Sequence, residues 1–293
     1  MQISNALAPE DYKTIRGMLD KFPNSSDVAL EQIWQLMDKV WDDIGCNNHD
    51  LDQEKVTAFY KHPIWLLNGF FIEQHELSLQ HRHAISEWIV NNLNQKNGTV
   101  LDFGGGFGTL AKMIADKSNL LKVDIYEPYP SDFAISQCSS YSSINFVADF
   151  SKKYDCLVST DVLEHVSDPL ELFGQMIEFV NLNGYLIIAN CFYPVIKCHL
   201  PSTFHFRYSF DQFAETMGLK VIGICEGSHA TIYQKMSNQD IDWDKIRKME
   251  SRSQSLYQFR EFQQNNIYPW KYRLKRLITD PIGLLKSVKK KFN

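Results

Sequence analysis

The chain has 293 residues, 44% of them hydrophobic and 22% charged, so it can bury a full core and belongs to neither the fibrous nor the disordered class. A net charge of −5 without a recognised nucleic-acid-binding motif argues against nucleic acid as a partner. The six cysteines form no C-x-x-C pair, which favours reduced thiols and a cytoplasmic location. We expect no secretory signal, and the longest apolar run, residues 185–196, falls short of the ~20 residues that span a bilayer.

Helical periodicity dominates residues 1–95 and predicts a helical cap. Residues 11–19 are amphipathic, and Ser26-Asp27 is a candidate cap for a second helix with buried positions from Val28 to Trp41. An aromatic-rich helical pattern then runs from Trp65 to Leu93. We interpret this region as a lid over a following domain and not as a second enzyme.

From residue 96 the pattern changes to short runs of Val, Ile and Leu that alternate with amphipathic segments. This alternation is typical of an α/β fold, a doubly wound and mostly parallel sheet with helices on both faces. Seven strands are predicted, the last two as a closing antiparallel pair: 100–103, 121–126, 145–148, 156–159, 185–189, 219–225 and 230–235. Helices are predicted at 169–181 and 209–217, and the domain is predicted to span 96–236.

Residues 237–293 are predicted to form a basic, helical C-terminal extension. Residues 241–293 hold thirteen Lys and Arg against five Asp and Glu, whereas residues 1–60 hold five against eleven. In the tail, Trp270 and two tyrosines alternate with lysines and arginines. This composition suits a peripheral membrane surface, another polyanion or a protein partner, although a solvated helix face has the same charge pattern.

A glycine-rich turn follows the first predicted strand. Glycine permits backbone angles that a side chain forbids and lets a ligand lie directly on the backbone. The dinucleotide fingerprint G-x-G-x-x-G/A fails at Thr109 when it starts at Gly104, and at Phe107 when it starts at Gly105. The pattern acidic-hydrophobic-Gly-x-Gly-x-Gly fits residues 102–108 instead.

A second motif, D-V-L-E-H-V-S-D-P, occupies residues 161–169. Together with residues 102–108 it resembles the class I S-adenosylmethionine-dependent methyltransferases, of the small-molecule type similar to the ubiquinone-pathway O-methyltransferases. The resemblance covers about residues 80–235. It implies transfer of a methyl group from S-adenosyl-L-methionine to a small polar acceptor, with oxygen as the methylated atom, and a lipid-linked or nucleotide-linked sugar agrees with the polar loops.

Ligands of open α/β sheets lie at the carboxyl ends of the strands, so the strand ends supply the candidate cofactor residues. The resemblance implies Asp102, Gly104 and Gly106 in the turn, Glu127 for the ribose hydroxyls, Asp149 and Phe150 for the adenine, Thr160 after the fourth strand, and Arg82 for the methionine carboxylate. A guanidinium suits the last role because it binds a carboxylate through two parallel hydrogen bonds. Solvated strand-end acids and an exposed helix arginine are the alternative interpretations.

Methylation of a hydroxyl requires a base, and a histidine can accept that proton near neutral pH. His165 is the first candidate because it follows the fourth strand. His199 and His205, in the aromatic loop of residues 190–208, are the other candidates. Each of these histidines has an alternative role in holding the local backbone.

Asp161, Glu164 and His165 are residue types that bind divalent cations. Related proteins with a Glu-x-x-Glu-His pattern are reported to bind one, but the first position here is aspartate, so no metal is predicted. Two other functions stay open: a non-catalytic cofactor-binding module that scaffolds a partner, and an NAD-dependent oxidoreductase, which Thr109 disfavours.

Overall fold

Seven strands form a single sheet in the part of the chain that the structure, a computed structural model, describes. They are β1 (Thr99–Phe103), β2 (Lys122–Tyr126), β3 (Ile144–Val147), β4 (Tyr154–Thr160), β5 (Val180–Ala189), β6 (Leu219–Ile224) and β7 (Thr231–Lys235). Their order is β3-β2-β1-β4-β5-β7-β6. Strands β1 to β5 pair in parallel, whereas β7 pairs antiparallel with both β5 and β6. The predicted α/β fold with its closing antiparallel pair is confirmed.

The structure describes residues 1–4, 6–22, 28–94, 97–149 and 152–267. Residues 1–243 form one compact unit and residues 244–293 another. Three predictions fall outside the described residues: the cap at Ser26-Asp27, the adenine contact of Phe150, and the basic tail beyond residue 267.

Helices α5 (Glu76–Leu93), α6 (Thr109–Lys117) and α7 (Asp132–Cys138) contribute to the core on one face of the sheet. Branched aliphatic residues supply most of this core. The helices contribute Ile85, Ile89, Leu110 and Ile114. The strands contribute Val123, Ile125, Val158 and Ile187, which are alternate positions that point to the same face of the sheet. Helices α8 (Pro169–Glu178) and α9 (Phe210–Thr216) complete the set that flanks the strands. Asp168 begins α8 by accepting the Glu171 N–H at 3.0 Å.

Four N-terminal helices form a second core: α1 (Pro9–Leu19), α2 (Leu30–Ile44), α3 (Gln53–Tyr60) and α4 (Ile64–Ile72). Their amphipathic faces bury Ile15, Leu19, Ile33, Trp41 and Phe59. Phe107 from the glycine turn and Ile196 from the loop after β5 pack into the same core. The N-terminal helices therefore contact the loops that emerge at the carboxyl edge of the sheet.

Two element boundaries in the α/β domain differ from prediction by more than two residues. Helix α8 ends at Glu178 rather than 181, and β5 begins at Val180 rather than 185. Asn181, Asn183 and Gly184 are typical of loops, so this stretch was not predicted as strand; Asn183 does adopt a left-handed conformation (φ 64°) within β5. In the C-terminal extension, which was predicted to be helical, the structure describes α10 (Trp243–Ser255) and α11 (Tyr257–Phe262).

No helix within the described residues combines the length and the apolar character needed to cross a membrane.

Candidate active site

The turn between β1 and α6 requires glycine for two physical reasons. Gly104, Gly106 and Gly108 have φ values of 76°, 54° and 68°, in the left-handed region that favours glycine. A Cβ atom on Gly104 would lie 2.5 Å from Val162 Cγ2, whereas one on Gly106 would meet nothing within 4 Å. The turn is thus packed closely on one side and open at Gly106, where a ligand can approach the backbone.

Glu127, just after β2, is fixed against this turn. Its Oε2 accepts the Gly106 N–H at 3.1 Å, and its Oε1 accepts the Tyr129 N–H at 3.4 Å. Burial raises the pKa of the Glu127 carboxyl, while the two amide donors oppose that rise. Each oxygen keeps acceptor capacity for a hydroxyl, so the geometry agrees with the predicted ribose contact, which stays a prediction.

Asp102 lies beneath the turn, where the positive charge of Arg82 acts on it without a direct ion pair. Asp102 is buried, and its Oδ2 has no hydrogen-bond partner among the described residues. Burial raises the pKa of Asp102 to about 7, and the positive charge of Arg82 opposes this shift. The half-buried Arg82, on α5, donates from Nη1 to the Ser78 carbonyl at 3.2 Å. A carboxylate acceptor beside a guanidinium fits the ammonium and carboxylate of the methionine part of S-adenosylmethionine.

The other predicted cofactor residues lie at the same ends of the strands. Thr160 is the last residue of β4 and is half-buried beside Ala189 of β5. Asp149 is exposed after β3 and lines a cavity of about 340 Å³ together with Asp124, Asn145, Lys152 and Tyr154. Their roles in binding stay predictions.

Two of the predicted bases, His165 and His199, face one another. His165 Nδ1 lies 3.1 Å from the Cys198 carbonyl, and His199 Nδ1 lies 2.8 Å from the Tyr193 carbonyl. Because a carbonyl only accepts hydrogen bonds, each Nδ1 carries the hydrogen and each neutral ring keeps its lone pair on Nε2. The loop after β5 thus orients both rings through its backbone.

The carboxyl of Glu164 lies close to both histidine rings. Its Oε1 accepts the Cys191 N–H at 2.6 Å, while its buried Oε2 has no partner among the described residues. One ligand atom from each of Glu164, His165 and His199 lies within 4.8 Å of the others. Burial, followed by the charge of Asp161, raises the pKa of Glu164, and burial lowers the pKa of His165 to about 3. The two imidazoles can accept hydrogen bonds from one small ligand, and the protonated Glu164 carboxyl can donate one to it.

The same three side chains could hold a divalent cation, since two imidazoles and a carboxylate are common metal ligands. The structure groups His199 with Glu164 and His165, whereas the sequence pattern pointed to Asp161 as the third ligand. The absence of a metal stays a prediction.

Three aromatic side chains, Tyr60, Trp65 and Tyr129, form what we call the aromatic wall. Tyr60 stacks on Trp65 with ring centroids 5.0 Å apart and is nearly parallel to Tyr129 at 6.4 Å. The rings of Tyr60 and Trp65 each lie edge-on to His165 at 6.3 Å. This wall was not predicted from the sequence; the available signal was the aromatic pair that flanks Pro63, which was interpreted only as part of the helical cap.

His205 is placed apart from this group. It lies in a 3₁₀ helix over Pro201–Tyr208 and is buried, with its ring centroid 3.9 Å from that of Phe206. Arg207 follows it and packs over the Tyr193 ring at 4.6 Å. The structure therefore brings together two of the three predicted bases.

Helix α2 and Asn48, which follows that helix, hold the loop after β5 by polar contacts that we call the loop clasp. Asp38 accepts the Lys197 backbone N–H at 2.7 Å, Asp42 accepts from Lys197 Nζ at 2.6 Å, and the Asn48 side chain donates to the Lys197 carbonyl at 3.1 Å. Lys197 directly precedes Cys198, whose carbonyl accepts from His165. The N-terminal helices thus fix the loop that orients the histidines.

Comparison with known proteins gives one match to a family model, described as a methyltransferase domain, over residues 75–222. No curated protein matches the sequence. Among solved structures, an O-methyltransferase family protein from Burkholderia thailandensis is similar at 18% identity and a TM-score of 0.38, over 57% of this chain and 62% of that one. The chain therefore covers less than two thirds of that protein.

Two further structures are similar at low identity. A CurJ carbon methyltransferase matches at 12% identity and a TM-score of 0.48, over 79% of this chain and 72% of that one. CalS10, an amino pentose methyltransferase from Micromonospora echinaspora solved with bound S-adenosylmethionine, matches at 9% identity and a TM-score of 0.40, over 54% of this chain and 92% of that one. The domain match, which covers half of the chain, is the finding that assigns a family.

Proposed function

Because this chain belongs to the methyltransferase domain family, we propose that it methylates a hydroxyl oxygen of a small polar acceptor, a sugar or glycan precursor. The chain is an enzyme, and its cofactor is S-adenosylmethionine, whose sulfonium supplies an activated methyl group. The protein has to bind the cofactor, align the acceptor and accept its proton.

Binding of the cofactor is assigned to residues around the glycine turn. Glu127 would accept the ribose hydroxyls, because two backbone amides already fix its carboxylate beside Gly106. Arg82 and Asp102 would meet the carboxylate and ammonium of the methionine part. Asp149 would contact the adenine of the cofactor, and Thr160, at the end of β4, would lie on the side of its methyl group.

The observation that carries the proposal is the facing pair of imidazoles with both Nε2 lone pairs available. We assign His199 as the base that accepts the acceptor's hydroxyl proton, and His165 as the second hydrogen-bond acceptor. His165 was the first candidate from the sequence, but a pKa of about 3 makes it a weak base at neutral pH. Burial also lowers the pKa of His199, so its ring is neutral and able to accept a proton.

A sugar suits the surroundings of these histidines. The aromatic wall of Tyr60, Trp65 and Tyr129 offers flat apolar surface beside His165, on which the C–H faces of a sugar ring can pack. The Nε2 atoms can accept hydrogen bonds, and the Glu164 carboxyl, kept protonated by its raised pKa, can donate one from Oε2. A sugar ring with several hydroxyls can both donate to the imidazoles and accept from the carboxyl. A lipid or nucleotide linked to the sugar would extend out of this site.

A test incubates the full chain with methyl-¹³C S-adenosylmethionine and a panel of nucleotide-linked and lipid-linked sugars. NMR should place the labelled methyl group on oxygen. His199→Ala should lower kcat by about 10²- to 10⁴-fold, whereas His229→Ala, at an exposed histidine after β6, should not change it. A label on nitrogen or carbon, or full turnover in His199→Ala, would contradict the proposal.

A further inference from the structure

The charges of the chain are divided unequally between its two units. Residues 244–293, the C-terminal arm, hold thirteen Lys and Arg against four Asp and Glu. Residues 1–243 hold seventeen against thirty-one. The arm is therefore strongly positive although the whole chain is negative, and a positive segment of this kind attracts an anionic surface.

Within the arm, α11 presents two large aromatic side chains to solvent. Phe259 and Phe262 are 56% and 55% exposed. They stand three residues apart on a helix, so they share one face. Exposing two phenylalanines side by side to water is unfavourable. This suggests that this face of α11 contacts an apolar environment in the functional state of the protein.

The sequence that follows α11 continues the same combination. Residues 268–293 contain eight Lys and Arg with one Asp, and the basic residues alternate with aromatic and aliphatic residues: Tyr268, Trp270, Tyr272, Leu274, Leu277, Ile278, Leu284, Leu285, Val288 and Phe292. A polyanion such as RNA would bind the positive charges, but it offers no apolar environment for the aliphatic residues in this set. A lipid surface takes both, since its head groups attract Lys and Arg while its acyl region accepts apolar side chains.

We propose that the C-terminal arm docks the protein on an anionic membrane surface, with Phe259 and Phe262 inserting between head groups. The docking is peripheral, and it is a separate property from methyl transfer. It would bring the site to an acceptor carried by a lipid.

The test is co-sedimentation of the full chain with phosphatidylcholine vesicles, with and without phosphatidylserine. We expect at least about tenfold more protein bound when roughly a third of the lipid is phosphatidylserine, and loss of that excess in high salt. Phe259→Ser combined with Phe262→Ser should reduce binding several-fold, as should changing Lys289, Lys290 and Lys291 to Glu.

The matched control replaces two exposed apolar residues outside the arm, Leu120→Ser with Leu182→Ser. Their side chains are 46% and 47% exposed, somewhat less than the two phenylalanines. This control should bind vesicles like the native chain. Every variant should keep the affinity of the native chain for S-adenosylhomocysteine, which separates lost docking from a lost fold or site. Equal binding to both vesicle types, unchanged binding of the phenylalanine variant, or binding to an RNA oligomer but not to vesicles would overturn the proposal.

Discussion

The imidazole rings of His165 and His199 lie edge to face, with centroids 4.8 Å apart and planes inclined at 80°. Each ring donates from Nδ1 to a backbone carbonyl of the loop after β5, so the pair offers two Nε2 lone pairs to a ligand. A histidine after β4 and another after β5 therefore lie together, and we propose that they form one proton-accepting site.

His165 should make the protein less stable in acid. Burial keeps its ring neutral down to a pKa of about 3, whereas the unfolded chain takes up that proton near pH 6.5. Between these values the unfolded state binds more protons, so the free energy of unfolding falls as pH is lowered, by up to about 1.4 kcal/mol per pH unit. Urea unfolding at pH 7 and pH 5 should show a smaller loss for His165→Asn than for the native chain. The same loss in both would show that His165 is not neutral in the native protein.

Gly106→Ala should weaken cofactor binding more than it weakens the fold. Its new methyl group would enter the open space in which we place the ligand, and the left-handed backbone adds strain of about 1–2 kcal/mol. Calorimetry should give at least about tenfold lower affinity for S-adenosylhomocysteine, with a modest drop in Tm. Gly17→Ala, in α1 and also with nothing within 4 Å, is the control; it should leave the affinity unchanged and should not lower Tm, because alanine is the better helix former. Unaltered affinity in Gly106→Ala would mean that the ligand lies elsewhere.

Gly69→Val should disturb the cofactor site from outside it. A Cβ atom at this position of α4 would lie 2.6 Å from the ring of Phe107, a residue of the glycine turn. We expect a stability loss of about 1–3 kcal/mol from overpacking, together with weaker binding of S-adenosylhomocysteine. Leu19→Ala, in the same N-terminal core, should cost about 2–5 kcal/mol of stability and leave the affinity unchanged. Equal affinities in both variants would show that α4 does not position the turn.

Breaking the loop clasp should affect the acceptor and not the cofactor. Asp38→Ala with Asp42→Ala removes the side chains that hold the backbone N–H and Nζ of Lys197. With the loop less restrained, the histidines are oriented less well, so KM for the acceptor should rise several-fold while the affinity for S-adenosylhomocysteine is unchanged. Asp43→Ala, which removes only the partner of Lys39 on the same helix, is the matched control. Native KM in the double variant would exclude a role for the clasp.

The sequence predicted the sheet well because its strands are short apolar runs bounded by turn residues. It also located the glycine turn and Glu127, since both are adjacent in sequence to predicted strands. The start of β5 was missed because Asn181, Asn183 and Gly184 resemble a loop, yet they continue a strand. The local sequence pattern does not show that polar residues at the start of a strand are still part of the sheet.

The acceptor site was predictable only in part. The pairing of His165 with His199 depends on how the loop after β5 folds back, which residue spacing does not show. The aromatic wall depends on how α3 and α4 pack, so Tyr60 and Trp65 were interpreted only as parts of a helical cap. Contacts between distant parts of the chain decide both features.

Calorimetric titration of the full chain with S-adenosylhomocysteine tests the central claim most directly. The account predicts saturable binding at one site in the native chain, and an affinity at least about tenfold lower in Glu127→Ala, because that carboxylate is the ribose acceptor held against Gly106. No binding by the native chain, or equal affinity in Glu127→Ala, would contradict it.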